Sequence, residues 1–274
     1  MTAASDGPDL PRLDANTPSA ARIYDYLLGG SYNFAVDRDT AQAMITAFPQ
    51  LPQVLRAGRA FVRRATHFLA SEQGITQFLD LGSGIPTVRN IHEIAQAASP
   101  DGAHVAYVDI DPVAVAHSHR ILRSSQGVIG IQGDLRDPAA VCASSGIRAV
   151  IDFSRPVAVI LNAVLHFIAD DGLAAAIVDG YMSAVPAGSY LVIGHHTSES
   201  ARPDEAHARE IYSRAAQPLI PRSRTQITEF FHATTLVEPG VVLTPNWRPE
   251  PGETAGPAAD VPPYFGYAGV GRKN

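Results

Sequence analysis

Six polar residues stand where short apolar runs end: Asp80, Asp109, Asp111, Asp134, Asn162 and, four residues after Asn162, His166. Each residue type suggests a task. Asp80 sits inside Gln77-Phe78-Leu79-Asp80-Leu81, where a carboxylate is costly unless it is paired or meets a ligand at the strand end. Gly82-Ser83-Gly84 follows directly. Its two glycines can adopt positive φ and let a ligand approach the backbone. Asp109 lies 25 residues past Gly84, near the spacing at which a doubly wound sheet presents a carboxylate to a ribose. One carboxylate can accept from both hydroxyls of such a diol. Asp111 reads equally as a cofactor contact or as the N-cap of a helix opened by Pro112, and Asp134 as a contact or as a loop cap.

Several chemistries are disfavoured by what the motifs lack. A dinucleotide fingerprint needs a third glycine where Thr87 stands, and no G-x-x-x-x-G-K-[ST] phosphate loop occurs. Ser83 lies in G-S-G, not in the G-x-S-x-G nucleophile elbow. The single Cys142 rules out an internal disulfide and a cysteine-based zinc cluster. His117 and His119 fall on opposite sides of a helix, so no metal-ligand spacing is recognised. The net charge of −6 gives no global basic field for nucleic acid. The most basic run, with arginines at 56, 59, 63 and 64, reads as a solvated helix face. No apolar stretch is long enough to span a membrane and no signal-peptide pattern opens the chain, so a cytoplasmic location is expected.

The elements that must position these residues follow from periodicity. Residues 1–16 read as an extended or disordered arm. Helices are expected over 19–28, from Asp37, and over 51–73, each with apolar residues at helical spacing. Strands at 77–81, 104–109, 128–132, 157–162 and 189–194 then alternate with helices near 88–98, 112–124, 138–144 and 172–184. That alternation implies a parallel sheet wound on both faces. Helices near 204–216 and 223–232, an interrupted strand over 236–243, a proline-rich surface loop over 246–263 and a last strand over 264–270 complete the chain.

The pattern Asp80-x-Gly82-x-Gly84 after a strand, with Asp109 and Asp111, Gly133-Asp134-Leu135, and Asn162-Ala163 at later strand ends, resembles the class I S-adenosylmethionine-dependent methyltransferases. Ala21-Arg22-Ile23-Tyr24-Asp25-Tyr26-Leu27-Leu28-Gly29-Gly30 with Asn33-Phe34, and Val164-Leu165-His166-Phe167, extend the likeness over nearly the whole chain. There it is similar to a bacterial family of S-adenosyl methyltransferases of undefined substrate. The resemblance implies an α/β, Rossmann-like, mostly parallel doubly wound sheet over 75–274, preceded by an arm and helical cap over 1–74. It implies S-adenosylmethionine as cofactor and S-adenosylhomocysteine as product. Gly82, Ser83 and Gly84 would lie against the methionine part, Asp109 and Ile110 at the ribose, and Asp134 at the adenine amino group.

Transfer of a sulfonium methyl is an in-line displacement in which alignment and exclusion of water supply much of the rate. A base is needed only if the nucleophile holds a proton. His166 is the first choice, with His195 and His196 behind it, although a hydrogen-bonded structural histidine is the commoner reading of each taken singly. Arg22 or Asn33 would meet the cofactor carboxylate, Tyr24 would wall the transfer cavity, and Gly29-Gly30 would let this segment close as a lid. The expected acceptor is a small molecule, with neither nucleic acid nor membrane as partner. Two rivals remain: a regulator that senses the cofactor without catalysis, and a nicotinamide-dependent oxidoreductase.

Overall fold

Five apolar runs flanked by polar strand ends build the sheet. The computed structural model describes residues 15–86, 90–99, 102–199, 202–250 and 266–274. In it β1 (Gln77–Leu81), β2 (His104–Asp109), β3 (Val128–Gln132), β4 (Ala158–Asn162) and β5 (Tyr190–His195) are all parallel. β6 (Thr234–Leu236) and β7 (Val242–Leu243) each pair antiparallel with β8 (Tyr267–Lys273), which pairs antiparallel with β5. The order β3-β2-β1-β4-β5-β8-β6 reverses direction between β1 and β4, the switch point at which open α/β sheets bind ligands.

Successive strand residues point to opposite faces, and each face has its own core. Leu79, Leu81, Val159, Leu161, Leu191 and Ile193 pack with Ile177, Val178 and Tyr181 of a long helix over Asp171–Ala184. Phe78, Val105, Ala158, Ile160 and Val192 face the helices Leu51–Ser71 and Ile91–Ala98. A third cluster is the cap. α1 (Ala20–Leu27) and α2 (Ala35–Ala47) contribute Ile23, Leu27, Ala41, Met44 and Phe48. The helix Pro203–Ala215, from beyond β5, closes it with Ala208 and Tyr212. The remaining helices in chain order are α3 (Leu51–Ser71), α4 (Ile91–Ala98), α5 (Pro112–Ile121), α6 (Pro138–Ala143), α7 (Ser145–Arg148), α8 (Asp171–Ala184), α9 (Pro203–Ala215) and α10 (Arg224–Glu229).

Some expected boundaries shift for local reasons. α2 begins at Ala35 instead of Asp37, because the Asp37 carboxylate reaches back to the Phe34 N–H at 2.8 Å. The single interrupted strand over 236–243 is two strands, β6 and β7, with the cis Glu238–Pro239 bond between them. The helix expected over 138–144 is followed by a separate turn, α7. The basic run of α3 is not one solvated face. Arg56 is exposed, but Arg64 is buried and donates to the carbonyls of Trp247 and Thr244, both at 2.8 Å. Most of the N-terminal arm, the first residues of the helix near 88–98, most of the proline-rich loop and the start of the last strand lie outside the described residues.

Asp37 is the anchor of the cap. Its side chain is fully buried, accepts from the Ser19 N–H at 3.0 Å and the Phe34 N–H, and pairs with the buried Arg22 guanidinium at 2.8 Å. Removing one partner of a buried pair leaves an uncompensated charge, which costs about 3–5 kcal/mol. Asp37→Ala is therefore expected to lower unfolding stability by about that amount in a urea titration. A loss below about 1 kcal/mol, the scale of a surface pair, would show that the cap does not depend on this bond.

Candidate functional site

The C-terminal ends of β1 to β5 open into a cavity of about 670 Å³ roofed by the cap. Every residue expected at the cofactor except Asn33 lines it. The glycine turn is built as its sequence demands. Gly82 has φ +67° and lies so close to Val164 that a Cβ would overlap that side chain. Gly84, at φ +63°, has open space where a Cβ would stand, so a ligand can approach the backbone there.

Asp109 holds this turn in place. One carboxylate oxygen accepts from the Gly84 N–H at 2.7 Å, the other from the Asp111 N–H at 2.8 Å. Burial raises its pKa, and the two backbone N–H groups oppose that rise. Asp111 caps α5 through the Val113 N–H at 2.8 Å, and its other oxygen accepts from the Ser19 hydroxyl of the cap. Asp111 is thus the helix cap that one reading expects, and it also lines the cavity. Asp134 is tied to Arg136, which keeps its carboxyl below the usual range.

A second charged group enters from α3. Arg59 lines the cavity beside Asp80 and Tyr24. Burial pushes Asp80 up to about 7, the Arg59 guanidinium pulls it down, and Asp109 adds a smaller upward push. Burial likewise raises Tyr24, again opposed by Arg59. Arg59 faces the cavity and not the solvated surface that its basic run suggests. The signal was present: Leu55, Arg59 and Val62 share one helical stripe with Leu51 and Gly58, and that stripe faces the cavity.

At the far end, β4 and β5 deliver Asn162, Ala163, His195 and His196. Gly194 has no side chain, which leaves room for the Asn162 amide over β5. Ala163 is held at φ +57°, with its N–H on the Gly194 carbonyl at 2.8 Å. A non-glycine residue in this region marks stored backbone strain, which concentrates at functional sites. His195 is fully engaged. Its Nδ1 faces the His196 carbonyl at 2.8 Å, and its Nε2 takes Arg222 Nη1 at 3.0 Å. Burial pushes it down to about 3, so it stays neutral. His166 packs edge-on against both neighbours and has a buried Nδ1 without a partner. Burial, aided by His195, His196 and Arg222, holds it well below the ordinary histidine range.

The N-terminal candidates divide. Tyr24 and Arg22 line the cavity, and Arg22 is committed to Asp37 and the Thr17 carbonyl. Asn33 is turned away. Its amide donates to Asp25 at 2.9 Å and to the Gly30 carbonyl at 3.0 Å, which knots the turn after α1. Gly30 is required there because a Cβ would overlap the Asp25 carboxylate.

Comparison with known proteins gives this cavity its context. The S-adenosyl methyltransferase family model matches residues 7–274. A candidate methyltransferase from Thermobifida fusca YX is 38% identical, with a TM-score of 0.88 over 96% of this chain and 98% of that one. A DUF574 family protein from Streptomyces avermitilis MA-4680 is 36% identical, with a TM-score of 0.89 over 96% of this chain and 100% of that one. Magnesium protoporphyrin IX methyltransferase from Synechocystis PCC 6803, solved with bound S-adenosylhomocysteine, shares the fold at 11% identity and a TM-score of 0.53, with 92% and 93% of the two chains covered. No curated protein matches the sequence. With this glycine turn, this strand order and a family match over nearly its whole length, the chain belongs to the S-adenosyl methyltransferase family and is an S-adenosylmethionine-dependent methyltransferase.

Proposed function

We propose that the protein methylates a small, largely apolar molecule, and that the cavity is divided between the cofactor and this acceptor. The observation that carries the reading is the shape of the lining. Its polar residues come largely from the ends of β1 to β3, whereas the cap and the segments after β4 and β5 supply the apolar wall of Leu27, Phe48, Leu51, Leu55, Phe167 and Leu219, which we take as the acceptor chamber. Apolar walls with a few convergent polar groups suit a small-molecule ligand. The net charge of −6 argues in the same direction and against nucleic acid.

The cofactor would lie along the strand order. Asp109 and Asp111 would take the ribose, Gly133, Asp134 and Leu135 the adenine, and Ile110, 57% exposed, would offer an apolar face to the ring. Gly82, Ser83 and Gly84 would pass the chain of the methionine. Arg59 and Asp80 match its two ends, guanidinium to carboxylate and carboxylate to ammonium. The sulfonium methyl would then point toward Asn162, Ala163 and His166. Residues 1–74 would act as the cap that closes the methyl end from water, with Arg22 bracing it and Tyr24 as part of its inner wall. No helix among the described residues is long and apolar enough to cross a membrane. The lone buried Cys142 suits a reducing compartment, and the proposed location is the cytoplasm.

Calorimetry should find binding of S-adenosylmethionine and S-adenosylhomocysteine and none of NAD. Tight NAD binding with no response to the sulfur ligands would sink the assignment. Hydrogen exchange across Arg22 to Phe34 should slow when S-adenosylhomocysteine is added, because closure protects backbone amides. Protection at Gly82 to Gly84 alone would reduce the segment to a fixed wall. A protein that binds both sulfur ligands but transfers no methyl to any metabolite pool would be a sensor.

Arg59→Ala should weaken S-adenosylhomocysteine binding by about 1.5–3 kcal/mol, the range for a hydrogen bond to a charged group. Asp80 adds a pH signature. In the protein alone its pKa stands at about 7, and an ammonium partner requires the carboxylate. The binding-competent form holds one proton fewer, so raising the pH toward 7 favours binding. Well below pH 7, S-adenosylhomocysteine should release close to one proton, and well above it none. Calorimetry in buffers of different ionisation enthalpy measures this directly. Asp80→Asn should abolish the release; an unchanged release in that variant assigns the proton to another group.

A further inference from the structure

We infer that His196, oriented by Glu205, is the general base of the transfer and that the acceptor atom is the oxygen of an aryl hydroxyl. The inference rests on the division of the cavity proposed above and names the substrate class of its apolar half.

Glu205 is the third residue of α9, 4% exposed, and it lines the chamber. Neither of its carboxylate oxygens has a well-formed hydrogen bond. A buried carboxylate in that condition is costly unless a charged or proton-donating partner meets it. Its nearest partner is His196 Nε2, 3.0 Å from Oε1 but off the axis of an ideal hydrogen bond. Glu205 stands in the first turn of α9, where a helix favours a negative charge. With Nε2–H toward Glu205, the lone pair of Nδ1 is left to take a proton, and His196 lines the chamber. His195 cannot share the task, because both its nitrogens are engaged. His166 is held neutral and poorly basic by burial and its neighbours, which leaves it a hydrogen-bonding role at the acceptor. The other charged groups facing this end are Arg222, neutralised by Asp171 at 2.9 Å, and Arg209, which lines the chamber one turn after Glu205.

This set selects among acceptors. Methylation needs a nucleophile lone pair. A neighbouring carboxylate stabilises an ammonium and so keeps an amine protonated and unreactive. A hydroxyl is neutral at pH 7, since an aryl hydroxyl ionises near pH ~10, as tyrosine does. It therefore requires a base. In the step, the O–H bond breaks and its proton passes to His196 Nδ1, while Glu205 stabilises the imidazolium. The oxygen pair forms the new C–O bond, and the S–CH3 pair returns to sulfur, giving neutral S-adenosylhomocysteine. Arg209 offsets the charge that develops on oxygen. The aryl preference comes from the walls: Phe48, Phe167 and Tyr212, the last two stacked at 6.1 Å between centroids and 25° between planes.

The test uses the full-length protein, S-adenosylmethionine labelled in its methyl group, and two hydroxyl probes. 2-Naphthol stays protonated at pH 8, whereas 4-nitrophenol is already ionised there and needs no base. Wild type should methylate both. His196→Gln should lose about 10²- to 10⁴-fold on 2-naphthol, the span of general-base catalysis, while its rate on 4-nitrophenol stays within about threefold. Glu205→Gln should fall between wild type and His196→Gln on 2-naphthol only. Binding of S-adenosylhomocysteine should be unchanged in both variants, which separates this inference from the cofactor assignment. Equal loss on the two probes would mean a structural role, and equal retention would mean no base. Wild type that methylates neither probe, or that methylates aniline or benzylamine instead, overturns the hydroxyl assignment.

Discussion

The Asp109 carboxylate sets the geometry on which the rest of the site depends. It fixes two backbone N–H groups at once, Gly84 at the turn after β1 and Asp111 at the turn after β2. The two turns cannot move independently while both bonds stand. Asp111 carries the constraint outward, because its own carboxylate caps α5 and accepts from Ser19 at the edge of the cap. Sheet, helix and cap are thus joined through two acids two residues apart. The arrangement tolerates the burial cost of Asp109 because N–H donors surround the charge.

The parallel half of the molecule was legible because each of its elements is local. Strands β1 to β5 fall within a residue of their expected bounds, and their polar ends converge on one cavity. What could not be read was decided by pairing across the chain. β8 lies between β5 and β6 in the sheet, an order no local pattern encodes. Arg59 looked like one of four similar arginines, and only the packing of α3 against the cavity separates it from exposed Arg56 and buried Arg64. Asn33 had the chemistry of a ligand contact, but the nearer Asp25 claims its amide. Glu205 carried no local signal, because its meaning comes from His196 nine residues earlier and across a loop.

The two ends of the cavity treat charge in opposite ways. Over β1, acid and guanidinium face one another, and the buried carboxyl of Asp80 is left near the point of half ionisation. Over β5, the buried Arg222 is saturated by the carbonyls of Leu165 and Ile168, by His195 and by Asp171, and its charge helps keep His166 and His195 neutral. It acts as a strut that joins the turn after β4 to the end of β5. This leaves His196 and Glu205 as the least satisfied polar pair at that end.

The cap is assembled from two distant stretches of chain. α1 and α2 bury Ile23, Leu27, Ala41 and Met44 in part against Ala208 and Tyr212 of α9, and 156 residues separate Ala47 from Pro203. During synthesis at about 5–20 residues per second, the first helices are made about 8–31 s before their partner exists. Through that interval they present an apolar face that only the finished sheet and α9 can cover. The cap therefore cannot close until roughly three quarters of the chain has been made, and the sheet itself waits still longer for β8 at the C-terminal end.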